Sequence, residues 1–502
     1  LTTDAGSAGS VAINGGVVNT TGAQSYGEAA TLGAATTLTS TGSGAITFGN
    51  TLNGAQTLAI NTSGVTTFSG TVGNSTALTS LTTDAGTAGS VAINGGSVTT
   101  TGAQSYGEIA TLGAATTLTS TGSGAITFGN TLDGAQTLAI NTSGVTTFTG
   151  AVGGSTALTS LTTDAGTAGS VAINGGSVTT TGAQSYGEAA TLGAGTTLTS
   201  TGSGAITFGN TLNGAQTLAI NTSGITTFTG TVGNSTALTS LTTDAGTAGS
   251  VAINGGSVTT TGAQSYGEAA TLGANTILTA GAGNITLGGT VNDATSGAHS
   301  LTINSTGVTT FEAAVGNTAA LSSLTTNVGG TLVMNGGSVT TTGPQTYGED
   351  ITVGANTTLA AGAGAITLNG TVNDASIGTH SLTLNSTGTT TLQAAVGDTA
   401  ALSSVTTNAG GTLVMNGGAV TTTGLQSYGK AATLGAATTL TSTGSGAITF
   451  GNTLNGAQTL AINTSGVTTF SGTVGNSTAL TSLTTDAGSA GSVAINGGSV
   501  TT

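Results

Sequence analysis

Residues 45–72 read AITFGNTLNGAQTLAINTSGVTTFSGTV, a run of short segments in which apolar and polar residues alternate. The segments are rich in Val, Ile, Thr and Phe, and they end at Gly, Asn or Ser. Alternation with a period of two is typical of β-strands, and the closing residues are typical of turns. No window shows the three- and four-residue apolar spacing of a helix. We therefore predict an all-β chain.

A much longer repeat runs through the sequence. The segment that begins at Leu1 returns at Leu81, Leu161, Leu241, Leu324, Val405 and Leu483, so the spacing between copies is nearly constant. We predict a single continuous β-solenoid over 1–502, with repeats 1–80, 81–160, 161–240, 241–323, 324–404 and 405–482 and a partial copy at 483–502. Because both ends fall inside the repeat cycle, we expect a segment of a longer chain.

Length changes between the copies fall at two places. The segment 53–56 becomes 292–299, and the segment 244–250 becomes 327–331. Insertions and deletions are tolerated best on exposed connections, so both places are predicted to be surface loops.

A finer period divides each repeat. It is marked by Phe48, Phe68, Ile93, Leu112 and Phe128, which follow one another at steps of 20, 25, 19 and 16. About four coils of about 20 residues per repeat predict a parallel β-helix, in which coils stacked about 4.8 Å apart pair each other's backbones. About 25 such coils would form a rod on the order of 120 Å long. The positions predicted to face inward are Ile46, Phe48, Leu58, Ile60, Val91 and Ile93.

The composition excludes several classes of protein. The chain has 89 Gly, one Pro and no Cys among 502 residues, so it has neither a disulfide framework nor a thiolate metal site. One Lys or Arg stands against 16 acidic residues, and a net charge of −15 disfavours nucleic acid as a partner. No apolar run approaches the roughly 20 residues of a membrane helix, so this segment is not expected to insert into a membrane.

Four motifs resemble those of filamentous-haemagglutinin-like adhesins: GAITF (44–48), LAINTSGVTTF (58–68), GSVAINGG (89–96) and TTTGAQSY (99–106). These adhesins are large repetitive bacterial exoproteins, and the resemblance covers essentially the whole chain. It implies a right-handed parallel β-helix, export in unfolded form, and an extracellular location at the bacterial cell surface. It also implies a role in adhesion, aggregation or the building of a biofilm matrix.

Few residues suggest chemistry. Sugar-cleaving β-helix enzymes need clustered carboxylates, and none is evident, so we predict a protein that is not an enzyme and needs no cofactor or metal. His299 and His380 follow an inserted loop near Asp293 and Asp374, but one His and one Asp fall short of a zinc shell, and solvated loop histidines are the simpler interpretation.

An aspartate recurs in the motif Thr-Thr-Asp-Ala-Gly, at Asp4, Asp84, Asp164, Asp244 and Asp486. Calcium binding is one hypothesis, since carboxylates beside glycines can bind this ion. A turn-capping role is favoured, because Asn327 and Asn408 stand at the same place in two copies.

Every tyrosine lies in the motif Gln-(Ser/Thr)-Tyr-Gly, and a glutamate follows two residues later in five of the six copies. A row of these residues on one side of the solenoid would be a ligand-binding or lateral-packing stripe, whereas the simpler interpretation is a tyrosine that covers a turn with its hydroxyl in water. The stripe comprises Tyr26, Tyr106, Tyr186, Tyr266, Tyr347, Tyr428, Glu28, Glu108, Glu188, Glu268 and Glu349, and Lys430 replaces the sixth glutamate.

Two functions are consistent with these observations. The first is a structural rod or extracellular fibre, whose partners are other copies of the chain, joined end to end or laterally, and cell-surface or matrix polysaccharide. The second is a threonine-rich face that binds ice or polysaccharide directly. Ice binding requires Thr-x-Thr at one fixed place on every coil, and here threonine pairs occur in several sequence contexts.

Overall fold

The computed structural model describes residues 1–3, 9–84, 88–164, 168–244, 248–486 and 491–502. Its regular structure is entirely β, and the described residues form 61 strands and no helix. The chain divides into two compact units, Leu1–Gly255 and Gly256–Thr502, called unit 1 and unit 2 below. Parallel strands stack into a β-solenoid, which confirms the predicted fold class.

Unit 1 repeats one set of ten strands. In the second repeat these are Ser80–Thr83, Ser90–Ile93, Ser97–Thr100, Gln104–Tyr106, Ile109–Leu112, Thr116–Ser120, Ile126–Phe128, Leu132–Asp133, Thr137–Thr142 and Val145–Phe148. The first repeat contains the equivalents of the last nine of these strands, and the third repeat contains the equivalents of all ten. The first two recur once more in unit 1, as Ser240–Thr243 and Ser250–Ile253.

Unit 2 carries a slightly longer version of this set. In the fifth repeat the strands are Ser323–Thr326, Thr331–Met334, Ser338–Thr340, Gln345–Tyr347, Asp350–Val353, Thr357–Gly362, Ile366–Leu368, Val372–Asp374, Ser381–Ser386 and Thr389–Leu392. The last eight also occur one repeat earlier, and the first two recur as Ser404–Thr407 and Thr412–Met415. From Ala419–Thr422 to Ser492–Ile495, the strands correspond one for one to those from Ser97–Thr100 to Ser170–Ile173.

Each coil contributes one strand to each of three parallel faces. On one face of unit 1, Leu118 pairs with Ile140, Leu138 with Leu161, and Leu161 with Gln184. These steps match the mean of about 22 residues per coil. The backbone hydrogen-bond partners of a residue therefore lie on the coils on either side of its own, about 22 residues away in sequence.

This geometry refines the predicted coil count. The register confirms the steps Phe48 to Phe68, Phe68 to Ile93 and Ile93 to Leu112. The fourth step is wrong, because the strand of Leu112 pairs next with Leu132–Asp133, whereas Phe128 lies on another face between Tyr106 and Phe148. The segment from Leu112 to Phe128 is too short to complete a coil with three strands and three corners.

A repeat consequently does not contain a whole number of coils. The second repeat supplies ten strands and an eleventh position at Val152, which bridges Leu132 and Val178. Eleven positions over three faces make three and two-thirds coils, so each copy of a residue moves to a different face. In unit 1, the strands of Tyr26, Tyr106 and Tyr186 belong to three different sheets.

The core contains the predicted inward residues: Ile46, Phe48, Leu58, Ile60, Val91 and Ile93 are at most 1% exposed. Aromatic rings stack in threes on consecutive coils, as in Tyr106, Phe128 and Phe148, whose neighbouring centroids lie 5.1 and 5.8 Å apart. Of the predicted loop 292–299, residues 294–299 connect two strands and are largely exposed, whereas Asn292 and Asp293 belong to the strand Val291–Asp293. The second variable place is an exposed connection in unit 2, but in the earlier copies it includes residues 85–87, 165–167 and 245–247, which lie outside the described residues.

Candidate functional site

The tyrosines lie in the core, so both interpretations of the predicted stripe are wrong. All six tyrosines are at most 2% exposed. The Tyr106 hydroxyl donates to Gln104 Oε1 at 2.9 Å, and Gln104 Nε2 donates to the carbonyl oxygens of Val98 and Thr119 at 3.2 and 2.9 Å. Gln104 thus joins its own coil to the next, and the same network recurs in the other copies.

Burial changes the ionisation of these phenols. It raises the pKa of Tyr26 to about 12, and it raises the pKa of the other five tyrosines, for which burial is the largest cause, further above the ordinary value. The tyrosines therefore act as neutral hydrogen-bond donors inside the solenoid. The sequence signal for this role was the glutamine two residues earlier in every copy, which the prediction did not use.

The glutamates of the predicted stripe are also mostly buried. Glu108, Glu188, Glu268 and Glu349 are between 1 and 5% exposed, and Glu28 in the first copy is half-buried. Because copies of one position move from face to face, these side chains form no continuous row within either unit. The five glutamates and six tyrosines are consequently not a surface stripe.

Three of the buried glutamates, Glu108, Glu188 and Glu349, lie at a corner of a coil beside a threonine from the previous coil. Thr83 Oγ1 donates to Glu108 Oε2 at 2.7 Å, and Thr163 Oγ1 donates to Glu188 Oε2 at 2.8 Å. Burial raises the pKa of Glu108, and repulsion from Asp84 adds to the shift, while the hydrogen bonds from Thr83 and from the backbone oppose it. The pKa of Glu349 is also raised by burial, against a hydrogen bond from Thr326.

In the sixth copy Lys430 occupies this corner and is fully buried. Its Nζ donates to the carbonyl oxygens of Ser386, Gly388 and Gly410, the last two at 3.2 and 2.8 Å. Burial lowers the pKa of this ammonium group. The single Lys or Arg of the chain is therefore a buried residue bound by backbone oxygens, a role that the sequence analysis missed.

The aspartate of the Thr-Thr-Asp-Ala-Gly motif caps a neighbouring coil where the structure shows its contact. Asp244 Oδ2 accepts from the backbone N–H of Thr222 at 2.6 Å, and Asp486 Oδ2 accepts from that of Thr464. Asn327 and Asn408 accept from the equivalent amides of Ser305 and Ser386 at 2.9 and 3.0 Å. These contacts confirm that the residue at this position caps backbone amides, but the amides belong to the preceding coil and not, as predicted, to the residue's own turn. Asp4 lies outside the described residues.

The two histidines are not simply solvated. The ring Nδ1–H of His299 donates to Asp293 Oδ1 at 2.6 Å, and Asp293 Oδ2 accepts from the backbone N–H groups of Ala298 and His299 at 2.8 and 2.7 Å. Burial opposes ionisation of Asp293, but these hydrogen bonds outweigh it and lower its pKa. Asp374 and His380 repeat the arrangement. Each pair therefore organises an inserted loop.

An open groove of about 700 Å³ lies on unit 2. Threonine, alanine, glycine and asparagine line it, at Ala320, Thr340, Thr341, Thr342, Ala360, Gly362, Asn385 and Thr387. The lining offers hydroxyl, amide and backbone groups and carries no ionisable side chain. Such a surface can exchange hydrogen bonds with a neutral polyol.

Within the described ranges no three His, Cys, Asp or Glu residues group closely enough to hold a metal ion by themselves. Nor does any helix there have the length and apolar character that crossing a bilayer requires. No protein family, curated protein or solved structure matches the chain. The resemblance to filamentous-haemagglutinin-like adhesins therefore stays a prediction.

Proposed function

We propose that the chain is a structural rod or extracellular fibre of a bacterial surface or secreted adhesin, which mediates cell adhesion, aggregation or matrix formation. The observation that carries this proposal is the use of the repeat's polar side chains between coils. Gln104 links two coils, Thr83 holds a glutamate of the next coil, and Asp244 caps the coil before its own. The polar side chains that recur in the repeats thus hold consecutive coils together.

The repeat length adds a second argument. Because each repeat advances by three and two-thirds coils, a given outward residue appears on successive faces in successive copies. Additional repeats therefore extend the solenoid and distribute the same surface chemistry around it. This property suits a spacer that carries adhesive regions or associates with other copies of itself and with polysaccharide on any side.

Immunogold electron microscopy of the cells that produce the protein tests the proposal. We expect label on thin extracellular filaments. In-frame removal of residues 81–160, and then of 81–240, should shorten these filaments in two equal steps while the remaining repeats stay folded. Label confined to the cell interior, or filaments whose length does not follow the number of repeats, would refute the structural role.

The alternative is direct binding of ice or polysaccharide, and one observation favours it. On one face of unit 1, the outward residues Thr37, Ala59, Thr82, Ser105, Thr127 and Thr147 stand in register on consecutive coils. This column is a regular row of small side chains, five of which carry a hydroxyl, and unit 2 separately has its hydroxyl-lined groove. Thermal hysteresis of the purified chain, or its retention on insoluble polysaccharide reduced by Thr82→Lys, would support this alternative over a purely structural role.

A further inference from the structure

One corner position is buried in several repeats but carries opposite charges in different copies. It holds Glu108 in the second repeat, Glu188 in the third, Glu349 in the fifth and Lys430 in the sixth, each at most 3% exposed. A buried charge is costly unless an opposite charge or well-aimed dipoles compensate it. The negative charge of each buried carboxylate therefore needs compensation.

The hydrogen bonds at this corner favour an ionised carboxylate but do not complete its shell. Thr83 Oγ1 donates to Glu108 Oε2, and the backbone N–H groups of Gly107 and Glu108 also contribute hydrogen bonds to the carboxylate. Among the described residues, however, Glu108 Oε1 is buried without a hydrogen-bond partner, and so is Glu349 Oε2. At Glu108 and at Glu349, one carboxylate oxygen is therefore buried with no donor in the part of the chain that the structure describes.

A second carboxylate increases the negative charge in unit 1. Asp84 is close enough to Glu108 to raise its pKa, and Asp164 acts in the same way on Glu188. The chain has one Lys or Arg among 502 residues, and this residue lies in unit 2. Unit 1 thus contains no lysine or arginine to neutralise the corners of the second and third repeats, which leaves ions from solution as a source of counter-charge.

Lys430 shows where a cation is held at such a corner. Its ammonium group takes three backbone carbonyl oxygens, from Ser386, Gly388 and Gly410. The equivalents of the first two are Thr62 and Gly64, which lie two coils before Glu108. Their carbonyl oxygens lie 3.0 and 2.8 Å from the place where a Cβ on Gly89 would stand, so they also converge on this corner.

The sixth repeat differs at the second acidic position as well. Asn408 replaces the aspartate, and Lys430 replaces the glutamate, so both carboxylates are missing where the sequence provides its own cation. The charge of the pair therefore changes from two negative charges in the second and third repeats to one positive charge in the sixth. This exchange is the one expected if a fixed ammonium group takes the place of a bound ion.

We propose that the corner of Thr83, Asp84 and Glu108, and its copy at Thr163, Asp164 and Glu188, are binding sites for a hard divalent cation such as Ca²⁺, which Lys430 replaces in the sixth repeat. Carboxylate, hydroxyl and carbonyl oxygens are the ligands that Ca²⁺ takes, with water completing six to eight positions. An ion bound here would join consecutive coils at a corner and remove the repulsion between the two acids.

Calorimetric titration of the full chain with CaCl2 tests the proposal, after removal of divalent ions and at neutral pH. Glu108→Gln with Glu188→Gln should bind two fewer Ca²⁺ per chain than the parent. Glu312→Gln is the matched control, because Glu312 is exposed and contacts Asn335, and it should leave the stoichiometry unchanged. A variant that combines Asn408→Asp with Lys430→Glu should bind one more ion.

Thermal unfolding gives an independent measurement that does not rely on a variant that folds. The melting temperature of the parent should rise with CaCl2 at about 10⁻⁴–10⁻³ M, the range in which extracellular modules bind this ion. Absence of both binding heat and stabilisation in the parent would overturn the proposal. A chain that is stabilised by acid but not by Ca²⁺ would also overturn it, because protons would then neutralise the corners.

Discussion

Two threonines in one coil of unit 1 show opposite uses of a buried hydroxyl. Thr142 Oγ1 donates to the carbonyl oxygen of Gly124 at 2.7 Å and accepts from the N–H of Gly144 at 2.9 Å. Thr146 Oγ1 is buried without a hydrogen-bond partner in the described part of the chain. The Thr142 hydroxyl therefore pairs with two backbone groups at a corner. The Thr146 hydroxyl loses its hydrogen bonds to water on burial and gains no partner among the described residues.

We expect Thr146→Val to raise the free energy of unfolding by about 1 kcal/mol, because valine has the same shape and removes an unsatisfied group. Thr142→Val should lower it by about 1–2 kcal/mol, because it leaves a carbonyl and an amide unpaired. Urea denaturation midpoints compare the two. Equal destabilisation by both changes would contradict this account of the core.

Two kinds of carboxylate predict opposite dependences of stability on pH. The pKa of Glu108 is raised in the folded chain above the ordinary value of 4.5. The contribution of Glu108 to stability is therefore fully present below pH 4.5 and is lost as the pH rises through the raised pKa. The pKa of Asp293 is lowered from 3.8, so its contribution is present above 3.8 and is lost as the pH falls through the lowered value.

In the presence of a chelator, we therefore expect the urea midpoint to be highest between the ordinary pKa values of 3.8 for aspartate and 4.5 for glutamate. It should fall as the pH rises toward neutrality. Glu108→Gln should reduce the fall on the alkaline side, and the exposed Glu312→Gln should leave it unchanged. A midpoint that rises steadily from mildly acidic to neutral pH in the chelator would contradict the raised pKa of the buried glutamates.

Corners between strands bring the backbones of consecutive coils into contact, and glycine makes this approach possible. A Cβ on Gly95 would stand 1.9 Å from the carbonyl oxygen of Gly70 on the preceding coil. Gly15 occupies the same position in the first repeat, and a Cβ there would meet nothing within 4 Å. The steric requirement therefore comes from the adjacent coil and not from the local turn.

Gly95→Ala should lower the free energy of unfolding by about 2–3 kcal/mol, because the methyl group overlaps a backbone that cannot move away. Gly15→Ala is the matched control and should change it by less than about 0.5 kcal/mol. Chemical denaturation of the two variants decides between these outcomes, and equal effects would show that the corner adapts to a side chain.

At the level of each unit, the relation between repeat and coil predicts which deletions are tolerated. Removal of residues 81–160 takes away one whole repeat and joins Ser80 to Leu161, so each later strand meets a neighbour of the same sequence as in the parent. Removal of residues 81–108 takes away four strand positions instead. The next strand, Ile109–Leu112, then takes the place of Ser80–Thr83 and meets Thr57–Thr62, whereas in the parent it pairs with Ser90–Ile93.

We accordingly expect the chain without 81–160 to keep the parental melting temperature and strand signal in circular dichroism. The chain without 81–108 should melt at a markedly lower temperature, although it has lost less of the protein. If the shorter deletion proved the less harmful one, the three-faced arrangement derived from the strand register would be incorrect.

Periodicity and alternation were sufficient to predict the solenoid, the inward residues such as Ile46 and Phe48, and most of the inserted loop at 292–299. Each follows from a local cause: a strand with one buried face alternates, and a loop tolerates insertion. These causes act within short stretches of sequence and can be read along the chain.

The count of coils, the burial of the tyrosines and the charge exchange at Glu108 and Lys430 depended on the tertiary structure. In each case the deciding partner comes from another coil: Leu132–Asp133 completes the turn after Leu112, Thr119 accepts from Gln104, and Ser386 accepts from Lys430. A polar side chain can enter the core when its hydrogen-bond partners are already in place there. Partners that lie 15 or more residues away along the chain leave no mark on the local pattern of polar and apolar residues.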